Sequence, residues 1–154
     1  MKYHPCAEAE AWMRKQPTAA KAWAACPRGD WLLWIAARTC APGSAEHKSV
    51  VLAACACART ALKHVTSGDK RPLRAIEAAE RWTRGEATIG EVMNARAASV
   101  AAAASSAADA ASDAAAYAAA YAAADAAAYA YARTKTLAKC AVLVRKRLKV
   151  QDIR

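Results

Sequence analysis

The chain has 154 residues, is 56% hydrophobic and carries a formal charge of +10. That length suits one domain with a sizeable core, but much of the hydrophobic fraction is alanine. No run of about 20 strongly apolar residues exists to span a bilayer, and Met1-Lys2-Tyr3-His4-Pro5 lacks the apolar segment of a secretory signal, so a cytoplasmic protein with no membrane partner is expected.

In chain order, Cys6-Ala-Glu-Ala-Glu-Ala-Trp12-Met13 reads as a first helix, with acids in its early turns as the helix dipole prefers. It should end near Gln16, because the residue before Pro17 is pushed out of helical geometry. A second helix from Thr18 to Ala25 follows, stopped by Pro27-Arg28-Gly29. Asp30 reads as the N-cap of Trp31-Leu32-Leu33-Trp34-Ile35-Ala36-Ala37-Arg38. That helix is apolar nearly all round, which predicts the buried centre of the N-terminal half, with Trp31 and Trp34 as core residues.

Pro42-Gly43 is a turn, and Ser44 caps the next helix. There Val51, Cys55, Ala58, Leu62 and Val65 form one stripe at 4-3-4-3 spacing. Pro72 starts a helix that runs to Arg84, with Glu77–Arg81 and Glu80–Arg84 as i,i+4 pairs. After Gly85, Thr88-Ile89-Gly90-Glu91 has the form of a capping box and opens the longest helical stretch. From Glu91 onward there is neither Gly nor Pro. Between Asn94 and Ala132, 25 of 39 residues are Ala, the residue that loses least entropy in a helix.

Within that stretch Asp109, Asp113, Tyr117, Tyr121, Asp125 and Tyr129 recur every four residues. On a helix this row stacks into a slowly winding ridge. The ridge reads either as the edge of a close-packed Ala helix or as a partner-binding surface, since Tyr combines contact area with a hydrogen-bonding hydroxyl. A straight helix over residues 91–149 would be roughly 90 Å long, against a radius of gyration near 15 Å for a compact domain. A reversal is therefore expected near Ser105-Ser106 or Tyr131–Thr134. The last helix sets Leu137, Ala141, Val144 and Leu148 on one face and Lys135, Lys139, Lys146 and Lys149 on another, so it docks on something. The whole reads as a single all-α domain, a multi-helix bundle with a short-helix, Trp-containing half (residues 1–85) and an Ala-rich long-helix half (residues 88–149).

Charge is uneven along the chain. Residues 1–98 carry +6, residues 99–132 carry −3 and residues 133–154 carry +7. The basic end points to an anionic partner or to an internal match with the Asp-bearing helix.

The chemistry-bearing residues do not assemble into an enzyme motif. There is no H-E-x-x-H, G-x-S-x-G or Walker-type glycine loop. Glu77 and Glu80 already have Arg partners at helical spacing, and His4, His47 and His64 have no acid at a telling distance. Cys55 and Cys57 form C-x-C, but on a helix they diverge by about 200° and cannot share a metal. Cys6, Cys26, Cys40 and Cys140 have no ligand spacing, and all six cysteines read as small hydrophobes in a reducing compartment. No catalytic, metal or cofactor residues are expected.

Three blocks carry a family resemblance: Trp23-Ala-Ala-Cys-Pro-Arg-Gly-Asp-Trp-Leu-Leu-Trp34, Arg71-Pro-Leu-Arg-Ala-Ile-Glu-Ala-Ala-Glu-Arg-Trp-Thr-Arg-Gly-Glu-Ala-Thr88 and Ala132-Arg-Thr-Lys-Thr-Leu-Ala-Lys-Cys-Ala-Val-Leu-Val-Arg-Lys-Arg-Leu148. With the Ala/Tyr/Asp run between them, they resemble immunity proteins of bacterial polymorphic toxin systems and related Ala-rich all-α proteins of phage genomes. The resemblance implies a non-enzymatic protein that binds and neutralises a toxin, with no catalytic residues to carry over. The candidate contact residues are those of the Tyr/Asp ridge and the lysine face. The alternative is a small basic nucleic-acid-binding protein, since phosphate neutralisation needs little beyond Lys/Arg density; against it, the basic stripe has no aromatic interleaving for base stacking. An architectural helical protein is the third reading.

Overall fold

A computed structural model describes residues 4–60, 62–64, 68–99 and 134–152, and every regular element among them is helical. The elements are α1 (Ala7–Arg14), α2 (Ala19–Ala25), α3 (Gly29–Thr39), α4 (Ala45–Arg59) and α5 (Arg71–Arg84), then α6 over residues 89–99 and α7 over residues 134–147. Short 3₁₀ turns occupy Leu62–His64 and Val150–Asp152. The reversal expected near residues 105–106 or 131–134 lies outside the described residues, except that Thr134 is the first described residue of α7.

Local chemistry sets most of the boundaries. Ser44 Oγ accepts the His47 N–H at 3.1 Å. At the start of α6 the capping box closes in both directions: Thr88 Oγ1 accepts the Glu91 N–H at 3.3 Å, and the Glu91 carboxylate accepts the Thr88 N–H at 2.7 Å. Gly85 ends α5 at φ 79°, a left-handed conformation that costs glycine nothing.

Three boundary expectations and one ion pair need correction. Thr18 is not the first residue of α2 but its cap, with extended backbone and Oγ1 accepting the Lys21 N–H at 3.1 Å. Asp30 is not a cap: α3 begins one residue earlier, at Gly29, and the Asp30 carboxylate is held by Arg28 Nε at 2.9 Å and an Arg28 terminal nitrogen at 2.7 Å. The fourth helix stops at Arg59 rather than Val65, where the Thr60 hydroxyl donates to the Cys57 carbonyl at 2.7 Å. Glu80 does not pair with Arg84. It accepts two hydrogen bonds, at 2.9 and 2.7 Å, from Arg59 of α4, while Arg84 turns to Glu86 at 2.8 Å.

α4 packs against α3 on one side and α5 on the other, which is why the single stripe predicted for it does not describe it. Val50 and Ala53 face the core, with Cys57 packed against it. Cys55 is buried elsewhere, its thiol donating to the Ile76 carbonyl of α5 at 3.8 Å, and Ala58 is exposed.

The core draws on both ends of the chain: Cys26, Leu32, Ala36, Val50 and Ala53 meet Ala141, Val144 and Leu148. The apolar face read from the last helix is thus its buried face, with Leu137 half-buried at its start. Two contacts fix α7 in place. Gly29 lies so near it that a Cβ there would stand 2.5 Å from Cys140 Cβ and 2.6 Å from the Ala141 nitrogen. Arg145 donates to the Cys26 carbonyl at 2.7 Å and the Trp23 carbonyl at 3.4 Å, placing a cation at the C-terminal end of α2, where carbonyls lack intrahelical partners.

Candidate functional site

The six residues of the Tyr/Asp ridge, Asp109, Asp113, Tyr117, Tyr121, Asp125 and Tyr129, lie outside the described residues. The lysines are described. Lys135, Lys139 and Lys146 are exposed along α7, and Lys149 is exposed just past its end. Positions 135, 139 and 146 fall within about 40° of one another on a helix, opposite the face formed by Ala141, Val144 and Leu148. Val142 lies between them in the same sector, 48% exposed. Because the opposite face is packed into the core, that packing sets the orientation of this row.

A second feature was misread in the sequence. Trp31 and Trp34 are only half-buried. Trp31 packs against the core, but both rings, with Trp12 and Trp23, line a cavity of about 570 Å³ formed by α1, α2, α3 and Val150. Trp12 and Trp31 meet tilted at 6.1 Å between ring centroids. Arg28 stands over the Trp31 ring at 4.5 Å and Arg38 over the Trp34 ring at 4.2 Å, a favourable use of the rings' negative faces. Arg28 also reaches Glu8 at 3.3 Å, so one guanidinium joins α1 to the start of α3. The Asp30 hydrogen bonds keep the Arg28 guanidinium protonated and hold the Asp30 carboxyl below the usual carboxylate range. The indole N–H of Trp31 is buried with no acceptor among the described residues. The signal in the sequence was the crowding of four Trp into residues 12–34, more large rings than three short helices can bury.

The thiols are brought together in one unpredicted place. Cys57 donates to the Cys140 carbonyl at 3.8 Å, joining α4 to α7. Burial, then hydrogen bonding to the Cys140 thiol, pushes the Cys57 thiol well above its ordinary range. Cys55 points instead toward α5, as the C-x-C divergence requires. Among the described residues no three His, Cys, Asp or Glu side chains are grouped to hold a metal. Between α5 and α6 a further cavity of about 570 Å³ is lined by charges of both signs, including Arg74, Glu77, Arg81 and Glu91. No helix among the described residues is long and apolar enough to cross a membrane.

Comparison with known proteins gives one match. The family model described as "Imm-5 like putative immunity protein" covers residues 42–142, about two thirds of the chain. The span runs from the turn before α4 into the middle of α7. No curated protein and no solved structure matches.

Proposed function

We propose that this chain, which belongs to the Imm-5 like immunity protein family, protects its host by binding a cognate toxin in the cytoplasm and blocking it without catalysis. The family match carries this reading. The exposed lysine face of α7 supports it, because a row of cations on a rigidly seated helix suits an acidic surface on the toxin and steers the encounter. The Tyr/Asp ridge is the second proposed contact.

The test is charge reversal of Lys135, Lys139, Lys146 and Lys149 to Glu, with affinity for a co-encoded toxin measured by calorimetry. Exposed charges contribute about 0.2–1 kcal/mol each, so the fourfold reversal should weaken binding by about 100-fold at low salt, with the helical signal unchanged. Tyr117→Ala and Tyr121→Ala should each cost more than about 1 kcal/mol if the ridge is in the interface. Tight retention of DNA, lost steeply with salt, and no toxin binding would favour the nucleic-acid reading instead.

A further inference from the structure

The lysine face supplies charge but little apolar area, and interfaces take most of their energy from a few large side chains in desolvated pockets. The tryptophan cleft has that character, and every residue lining it lies outside the span 42–142 matched by the family. Its walls are indoles left half-buried by three short helices, with Met13 at the rim 40% exposed. A volume of about 570 Å³ is within the usual range for a site that takes a compact group, too confined for a whole helix.

Charge narrows the occupant further. The ions described at the mouth balance: the carboxylates of Asp30 and Glu8 flank Arg28, and Arg38 adds a second guanidinium over Trp34. The Trp31 and Trp34 faces that would attract a cation already carry Arg28 and Arg38. A charged occupant would give up its hydration at a mouth whose described charges sum to zero. A polyanion would meet two carboxylates as well as two guanidiniums. The complementary partner is therefore uncharged.

We infer that the cleft between α1, α2 and α3 receives a neutral apolar side chain, aromatic or branched, projecting from the protein partner. This rests on the reading that the chain acts by binding a protein, and it adds a second contact, on α1–α3, to the lysine face of α7.

The test uses the full chain and N-acetyl-phenylalaninamide, a neutral side chain with its flanking amides, followed through the five indole N–H resonances assigned by single Trp→Phe variants. The Trp12, Trp23, Trp31 and Trp34 signals should shift saturably. Trp82, which packs edge-on against His47, should not move. The acidic analogue N-acetyl-aspartate amide should move none of the four. Met13→Glu, on the exposed rim, should leave the fold intact and weaken the response about tenfold or more. The inference is overturned if the four signals do not move, if Trp82 moves equally, if the acidic analogue works as well, or if Met13→Glu responds like the parent. The two readings fail separately. Toxin binding that leaves the four indoles unshifted would sink the cleft alone; saturable indole shifts in a chain that binds no toxin would sink the neutralising role alone.

Discussion

Replacing Gly29 with alanine is expected to lower the unfolding free energy by about 3 kcal/mol, the upper end of the usual cost of overpacking. Intrinsic propensity predicts the opposite sign, since Gly→Ala inside a helix ordinarily gains about 1 kcal/mol. The close approach decides between them. An added Cβ would lie 2.6 Å from the Ala141 nitrogen and 2.7 Å from the Cys140 carbonyl carbon, and backbone atoms of a seated helix cannot swing aside as a flexible side chain would. In a chain of this size about 3 kcal/mol corresponds to a fall in melting temperature of roughly 6–12 °C. Gly85→Ala is the comparison: nothing lies near its Cβ position, and only the left-handed backbone is penalised, by about 1–2 kcal/mol. A Gly29→Ala protein that melts higher than the parent would mean that α3 and α7 do not meet in this way.

Leu148→Ala should cost about 2–5 kcal/mol, the range for emptying a core leucine site. Leu148 is 3% exposed and packs in one cluster with Leu32, Val50 and Val144, so truncation leaves a cavity shared by α3, α4 and the end of α7. Val142→Ala, on the opposite face, should stay within about 0.5 kcal/mol. Urea melts read both. The Leu148 variant should shift its midpoint with an unchanged slope, as a lost packing interaction does without a change in exposed surface. Equal effects for the two residues would contradict the amphipathic seating of α7.

These residues also show where local sequence was a sufficient guide. The last helix was legible because one period of apolar spacing had one surface to cover, and Ala141, Val144 and Leu148 are buried as read. The capping box at Thr88 and Glu91 was legible because both partners lie within four residues. α4 was misread because it serves two neighbours, so its apolar residues fit no single stripe. Glu80 has a suitable Arg one turn away in sequence, yet it is held by Arg59 across the α4–α5 contact, which no local pattern records. Gly29 reads only as part of the Pro27-Arg28-Gly29 stop after the second helix; its role depends on Cys140, more than a hundred residues later. The cleft was hidden for a related reason: hydrophobicity places Trp31 and Trp34 inside, whereas short helices such as α1 and α2 lack the surface to cover four indoles.

The central claim, neutralisation by binding rather than by chemistry, is tested most directly by titrating a cognate toxin with this chain and following toxin activity. A binding immunity protein removes activity linearly up to a fixed molar ratio, leaves the toxin's mass unchanged, and releases active toxin when the two are separated by denaturation and refolding. Loss of activity that continues with time at a small fraction of that ratio, or a covalently altered toxin, would contradict the account, as would full toxin activity in the presence of excess chain.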